Sequence, residues 1–237
     1  MRKFVVPGLV ALSLALAPAA LFAREAVFAP PEQTEALLIL PDPPVDGSEA
    51  HKADLAILHE LEATRTPQQQ EAAREDAIAQ NIFRFKSVFG DQFTEANLPL
   101  TAALGNKLLA EAGDNAGAAK HLFHRKRPYN ADPTLHPVCP TTPKDDSYPS
   151  GHSTAGWLLG LTLVEMVPEQ REAILVRAAD YARNRLVCGM HYPTDIEAGR
   201  ALAYAVHGAL AQNPAYRSEL AAAKAELRKA LNLPDAQ

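Results

Sequence analysis

The sequence has a shortage of positive charge. Its 23 lysines and arginines are outnumbered by 28 aspartates and glutamates, which gives a formal net charge of -5 at pH 7. Proteins that bind nucleic acid through a basic surface have the opposite balance, so that class of partner is disfavoured. Aromatic residues make up only 6% of the chain, strand signals are scarce, and no repeat or low-complexity tract is present. The chain of 237 residues is long enough for one well-packed domain, and its alanine and leucine content favours helices over sheets.

Beyond its first residues, the chain has no apolar run of about 20 residues that could cross a membrane. At the N-terminus, Arg2 and Lys3 precede a short apolar stretch that prolines interrupt, and small residues follow as far as Ala23. This layout is typical of a secretory signal peptide, whereas a membrane anchor would need a longer unbroken run. We expect residues 1–23 to be a signal peptide, and the mature protein to be periplasmic with no membrane span.

Cysteine is almost absent as well, since Cys139 and Cys188 are the only two. In an oxidising compartment such an even pair is a candidate for a disulfide. The alternative is two buried thiols that never meet. The spacing matches no metal site, because two thiolates would need further ligands, and the sequence predicts no metal site.

The sequence divides into an arm and a helical domain. Residues 24–49 are rich in proline and predict an extended arm that packs over the domain or swaps onto a neighbouring copy. Residues 50–237 predict a single compact all-α domain of about seven helices. The predicted helices span about residues 50–65, 67–88, 99–126, 153–167, 168–185, 193–213 and 214–231. Gly113 and Asp114 could interrupt the third of them or leave it continuous.

The first of three polar clusters is Lys120 and Arg127, which stand seven residues apart and are followed by Pro128. On a helix these two side chains would share one face, with His124 between them. They could form an ordinary solvated face. They could also clamp an anionic group, since the guanidinium fork suits phosphate.

The second cluster precedes an apolar helix and contains Ser150, Gly151 and His152, after Pro149. Ser150 could cap the helix, Gly151 would let a ligand approach the backbone, and His152 could exchange a proton with that ligand. A helix N-terminus of this kind is a natural anion site. The same residues could also form an ordinary turn.

The third cluster contains Arg185, His191 and Asp195, with Pro193 early in the next helix. A carboxylate that accepts the Nδ1 proton of a histidine leaves Nε2 free as a nucleophile or a base. Taken alone, such a pair is more often structural than catalytic.

Together the clusters Lys120-x6-Arg127-Pro128, Pro149-Ser150-Gly151-His152 and Arg185-x5-His191-x3-Asp195 resemble the three-part signature of the PAP2 phosphatase superfamily. Residues 146–153 and 187–191 are similar to the bacterial class A non-specific acid phosphatases. The resemblance extends from about residue 85 to the end. It implies a helical bundle like that of the PAP2 phosphatases and vanadium haloperoxidases. It also implies a disulfide, because the family has cysteines where Cys139 and Cys188 stand.

The resemblance implies a role for each site residue. His191 would be the nucleophile that takes the phosphoryl group, oriented by Asp195, and His152 would be the general acid and then the base. The phosphate oxygens would be held by Lys120, Arg127, Arg185, Ser150 and the Gly151 N–H. The implied function is a secreted, metal-independent acid phosphatase of broad specificity for phosphate monoesters. It would act through a phosphohistidine without a cofactor, and a homo-oligomer is implied as well.

Two departures from the family pattern affect specificity. Asn184 precedes Arg185 where the family usually has serine, and residues 78–86 are apolar and basic where the family is rich in glycine and serine. Leaving-group preference and phosphate transfer to alcohols therefore stay open. The alternatives are a vanadate-dependent haloperoxidase, because vanadate fits the same residues, and a non-catalytic periplasmic phosphate-binding protein.

Overall fold

The structure is a computed structural model that describes residues 28–78 and 80–234. Those residues form seven long helices and contain no β-strand, which confirms the prediction of an all-α fold. The long helices are α1 (Glu49–Thr64), α2 (Pro67–Ile78), α3 (Pro99–Phe123), α4 (Gly151–Met166), α5 (Arg171–Val187), α6 (Pro193–Leu210) and α7 (Pro214–Ala230). Short helical segments are Pro31–Thr34, Ala36–Ile39, Ile82–Phe85, Lys86–Phe89, Pro128–Ala131 and Pro168–Gln170. The predicted signal peptide, residues 1–23, lies outside the described residues.

Helix α4 is at the centre of the bundle and packs against α3, α5, α6 and α7. Its residues are apolar and buried on almost every side, as expected for a central helix. Two glycines allow α5 to approach closely. A Cβ atom at Gly156 would lie 2.5 Å from Cδ1 of Tyr181, and one at Gly160 would lie 3.0 Å from Cβ of Ala178. This close packing fixes the N-terminus of α4, where the second polar cluster lies.

Two helix boundaries differ from the prediction. Helix α2 ends at Ile78 instead of continuing to Val88, and Asn81 has an extended backbone (φ -155°, ψ 163°). The chain bends there so that Ile82 and Phe85 can enter the core, where Ile82 occupies the space that the absent side chain of Gly105 leaves. Burial of these side chains outweighs continued helical hydrogen bonding.

Helix α3 runs without a break through Gly113 and Asp114, and ends at Phe123. His124 terminates it with a left-handed conformation (φ 47°, ψ 38°), and its N–H caps the Lys120 carbonyl. Arg127 therefore lies beyond the helix, and the prediction that Lys120 and Arg127 share a helical face is wrong. Their side chains meet because the chain turns back after His124.

The described part of the arm packs on its own domain. Phe28 and Ala29 are buried, and their backbone N–H groups donate to the Glu111 carboxylate at 2.7 and 3.0 Å. Asn115 donates to the Ala29 carbonyl at 2.9 Å. The arm includes the helical segments Pro31–Thr34 and Ala36–Ile39, so it is less extended than the prolines predicted.

Cys139 and Cys188 form a disulfide that closes a loop of 49 residues. It ties the segment before α4 to the end of α5, and Val138 N–H also donates to the Cys188 carbonyl at 3.1 Å. Within residues 28–78 and 80–234, no helix is long and apolar enough to cross a membrane.

Candidate active site

The three polar clusters meet at a cavity of about 230 Å³ between the N-terminus of α4 and the C-terminal half of α3. Five of the residues that the sequence singled out line it: Lys120, Arg127, Gly151, His152 and His191. The other three, Ser150, Arg185 and Asp195, are buried next to these residues. Gln80 and small or apolar residues of α3 and α4 complete the wall.

A sharp turn after α5 delivers His191 to this cavity. Gly189 makes the turn with φ 73°, and a Cβ atom there would lie 3.2 Å from the Pro137 backbone. His191 Nδ1 lies 3.2 Å from Oδ2 of Asp195, and Nε2 lies 3.0 Å from Nη1 of Arg127. Because a carboxylate accepts only, the Nδ1 atom carries the proton, and Nε2 presents its lone pair to the guanidinium.

Asp195 lies in the first turn of α6 and is fully buried. Its carboxylate accepts from the Tyr192 N–H at 2.9 Å, the Ser147 hydroxyl at 2.5 Å and Arg125 Nη1 at 2.6 Å. Burial raises the pKa of this carboxyl, and these donors oppose that effect. With three donors in addition to His191, the carboxylate is held in one orientation.

His152 lies in the first turn of α4, and its ring stacks on Tyr181. Its Nε2 atom lies 2.9 Å from the Gln80 side-chain nitrogen and 3.3 Å from the Ala77 carbonyl oxygen. Burial, followed by the charge of Arg185, lowers the pKa of His152 to about 3. The ring is therefore neutral near pH 7 in this surrounding of cations.

Two cations are held in place by Asp146. The Arg127 Nε atom donates to Oδ1 of Asp146 at 2.8 Å, and the Lys120 ammonium donates to the Asp146 carbonyl. Arg127 Nη1 also donates to the Met190 carbonyl at 3.0 Å. Burial, followed by the charge of Arg127, lowers the pKa of Lys120 to about 8. Lys120 thus stays protonated through the acid and neutral range.

The third cation, Arg185, is almost fully buried, and its Nε–H has no hydrogen-bond partner in the part of the chain that the structure describes. Its one hydrogen bond from Nη1 goes to the sulfur of Cys188 at 3.7 Å, a weak acceptor. Burial, followed by the charge of Arg127, lowers the pKa of Arg185 to about 10. An unsatisfied buried guanidinium is costly and is normally matched by an anion.

The Ser150 backbone is tied to α6 at the start of α4. Its N–H donates to the Asp195 carbonyl at 3.0 Å, and its hydroxyl caps the helix by accepting from Ser153 N–H at 3.3 Å. This contact requires Gly199, where a Cβ atom would lie 2.6 Å from the Ser150 carbonyl oxygen. Gly199 belongs to no local sequence motif, so its role could not be predicted from the sequence.

Asn184 points away from the cavity. Its side chain donates to Oδ2 of Asp76 at 2.8 Å, and Arg177 binds both oxygens of the same carboxylate at 2.6 and 3.0 Å. Asn184 therefore joins α5 to α2. Of the described residues in the segment 78–86, only Gln80 lines the cavity.

No group of three or more histidine, cysteine, aspartate or glutamate side chains that could hold a metal ion occurs among the described residues. The polar groups that surround the cavity are instead cations and hydrogen-bond donors: Lys120, Arg127, Arg185 and the first turn of α4. This arrangement can bind an anion with three or more oxygens.

Known phosphatases are similar to this chain in sequence. A sequence model of the PAP2 superfamily matches residues 98–219. A non-specific acid phosphatase of Providencia stuartii is 32% identical over 206 residues, covering 82% of each chain. An acid phosphatase of Zymomonas mobilis is 32% identical, covering 83% of this chain and 77% of its own. The solved structure of a transmembrane PAP2-type phosphatidylglycerolphosphate phosphatase from Bacillus subtilis aligns with a TM-score of 0.49 at 18% identity, over 76% of this chain and 94% of the other.

Proposed function

This chain belongs to the PAP2 superfamily as an acid phosphatase, and we propose that it hydrolyses phosphate monoesters through a phosphohistidine at His191. The observation that carries the proposal is the position of His191. Its Nδ1 atom is held by a buried carboxylate, and its Nε2 atom lies in a cavity lined by cations. An imidazole held in this way is an oriented nucleophile.

In the first step, the Nε2 lone pair forms a bond to phosphorus as the bond between phosphorus and the ester oxygen breaks. The departing oxygen takes a proton from His152. In the second step, water attacks the phosphohistidine, His152 accepts its proton, and the N–P electron pair returns to Nε2 as inorganic phosphate forms. Each group is thus restored after one turnover.

The cations stabilise charge on the oxygens of the transferring phosphoryl group. Lys120, Arg127 and Arg185 surround the cavity, and the unpartnered Nε–H of Arg185 supports a role in binding one of these oxygens. Ser150 and the N–H of Gly151 add the positive end of the α4 dipole. Such fixed charges are the main contribution that a protein makes to phosphoryl transfer, and here they take the place of a metal ion.

Broad specificity and an acid optimum are part of the proposal. The polar groups around the cavity suit a phosphoryl group, and a cavity of about 230 Å³ leaves little room for the remainder of a larger substrate. Because the cavity suits the phosphoryl group, substrates that share only the phosphate ester are expected to react.

The acid optimum follows from His152. Because the pKa of His152 is lowered to about 3, the proton for the leaving group is most readily available at low pH.

Export to the periplasm remains a proposal from the layout of residues 1–23. The disulfide between Cys139 and Cys188 supports it, since disulfides persist in oxidising compartments.

The experiment is an assay of the purified protein on p-nitrophenyl phosphate, nucleotides and a phosphodiester, with and without EDTA. We expect monoester hydrolysis that EDTA leaves intact and that His191→Ala abolishes. His207→Ala is the matched control, because His207 also bonds to a carboxylate, that of Glu165 at 2.6 Å, outside the cavity. Full activity of the His191→Ala protein, or loss of activity with EDTA, would overturn the proposal. Halide oxidation with vanadate in place of hydrolysis would favour a haloperoxidase.

A further inference from the structure

A buried chain of charged side chains continues from the cavity into the interior. Arg125 donates from Nη1 to Oδ1 of Asp195 at 2.6 Å and from Nη2 to Oδ2 of Asp54 at 2.9 Å. All three side chains are at most 4% exposed. The Arg125 guanidinium also stacks over the Tyr192 ring, 3.9 Å from its centroid. This series of bonded side chains therefore runs from His191 through Asp195 and Arg125 to Asp54.

We propose that Asp54 is a positioning residue for His191, acting through Arg125 and Asp195. The inference rests on the proposed phosphohistidine function. Asp54 lies on α1, outside residues 98–219 that the PAP2 superfamily model matches.

The geometry explains why Arg125 needs a second carboxylate. A guanidinium has a rigid planar fork, and binding to carboxylates at both ends fixes its plane. Thr194 completes the arrangement, because its hydroxyl contacts Nη1 of Arg125 at 2.7 Å and donates to Oδ2 of Asp54 at 2.6 Å. Without Asp54, the fork would be anchored on one side only, and Asp195 would lose part of its fixed orientation.

Charge balance gives a second reason. Arg125 carries one positive charge and Asp195 one negative charge, so this pair alone would present almost no net charge to His191. Asp54 restores one net negative charge to the group of three. Positive charge develops on the His191 ring as Nε2 bonds to phosphorus, and a negative group behind Nδ1 stabilises it.

Among the other groups that face His191, the three cations oppose that positive charge, whereas the His152 ring is neutral. Lys120 comes from α3, His152 from α4 and Arg185 from α5, and Arg127 comes from the segment between α3 and α4. Asp146 is the nearby carboxylate on that side, and it is bonded to Arg127. The carboxylates behind the ring, Asp195 and Asp54, therefore provide the compensating charge.

A purely structural role for Asp54 is the competing explanation. Asp54 also accepts from the Thr194 N–H at 3.3 Å, and so joins α1 to the first turn of α6. Loss of that contact alone would lower stability but leave His191 unchanged in the folded protein. Measurements on His191 itself separate the two roles.

The test compares Asp54→Asn with Asp54→Glu, which keeps the charge. In Asp54→Asn we expect kcat for p-nitrophenyl phosphate to fall by about tenfold to a hundredfold, with KM changed less than about threefold, because the phosphate-binding cations are untouched. Asp54→Glu should recover part of kcat. In ¹⁵N NMR of histidine-labelled protein, His191 should be protonated at Nδ1 in the wild type and a mixture of tautomers in Asp54→Asn.

The control is Glu111→Gln, which removes the charge of another fully buried carboxylate, one that binds the arm. It should leave kcat and the His191 signals unchanged. If Asp54→Asn does not fold, Arg125→Lys takes its place, because an ammonium cannot bridge both carboxylates, and the same changes are expected. Wild-type kcat with an unchanged His191 tautomer in either folded variant would overturn the proposal. The NMR result can be read even if the wild type proves to have no phosphatase activity, so failure of the proposed function is distinguishable.

Discussion

The Nη1 atom of Arg127 lies 3.0 Å from Nε2 of His191, so a cation of the proposed phosphate site donates to the nitrogen that is the proposed nucleophile. The same guanidinium is fixed by Asp146 and by the Met190 carbonyl. A phosphoryl group entering the cavity would take over the Nη1 donor and free the Nε2 lone pair to attack. In the proposed reaction, substrate binding and activation of the nucleophile are therefore coupled through one hydrogen bond.

This coupling predicts that Arg127→Lys damages both substrate binding and the chemical step. A lysine provides one point charge and no fork, so it cannot contact Asp146, Met190 and a phosphate oxygen together. We expect kcat/KM for p-nitrophenyl phosphate to fall by about a hundredfold, in the range found when a fixed donor to a transition state is lost. Steady-state kinetics provide the measurement. A change in KM alone would contradict the coupling.

The proposed role of His152 as general acid predicts that the effect of its loss depends on the leaving group. A general acid contributes about 10² to 10⁴ in rate when the leaving oxygen needs a proton. His152→Ala should therefore reduce hydrolysis of an alkyl phosphate far more than that of p-nitrophenyl phosphate, whose leaving group is stable as an anion. The ratio of the two kcat/KM values checks this. Equal losses on both substrates would contradict the assignment.

The pH dependence follows from the lowered pKa of His152, about 3. Above that pH the free ring is neutral, so His152 must obtain the proton that it passes to the leaving group from a monoanionic substrate, whose second pKa is about 6. We expect kcat/KM to decline as pH rises through about 6, and to decline at the same pH in Lys120→Arg, because Lys120 with its pKa of about 8 stays charged there. A rate that rises between pH 6 and 8 would contradict this account.

Much of the fold and site could be predicted from local sequence. Prolines and apolar spacing indicated the long helices, and three short motifs contain every ionisable residue that lines the cavity. The sequence did not indicate the contacts between residues that lie far apart along the chain. Asp54 is 71 residues from Arg125 and 140 from Thr194, so no local pattern links them. The end of α2 was also missed, because burial of Ile82 against Gly105 overrides helix propensity there.

Gly156 should be intolerant of substitution although it lies inside a helix. A Cβ atom there would lie 2.5 Å from Tyr181, on which His152 stacks. We expect Gly156→Ala to lower the free energy of unfolding by about 1–3 kcal/mol through overpacking. The matched control is Gly208→Ala in α6, where a Cβ atom would meet nothing within 4 Å. That change should stabilise the protein by about 0.5–1 kcal/mol. Urea unfolding measures both, and equal effects would contradict the packing argument.

The disulfide should matter for stability more than for chemistry. Closing a loop of 49 residues removes entropy from the unfolded chain, and loss of such a bridge costs about 2–5 kcal/mol. We expect the double variant Cys139→Ser, Cys188→Ser to unfold at a lower urea concentration than the oxidised wild type. Equal midpoints for the two proteins would show that the bridge contributes nothing.

The central claim is that His191 Nε2 becomes phosphorylated, and trapping the phosphoenzyme tests it most directly. His152→Ala protein is mixed with p-nitrophenyl phosphate, quenched at alkaline pH because phosphohistidine is labile in acid, digested and analysed by mass spectrometry. The account predicts one phosphoryl group on the peptide that contains His191, and none in the His152→Ala, His191→Ala double variant. A phosphoryl group on another residue, or turnover by His191→Ala at the wild-type rate, would contradict it.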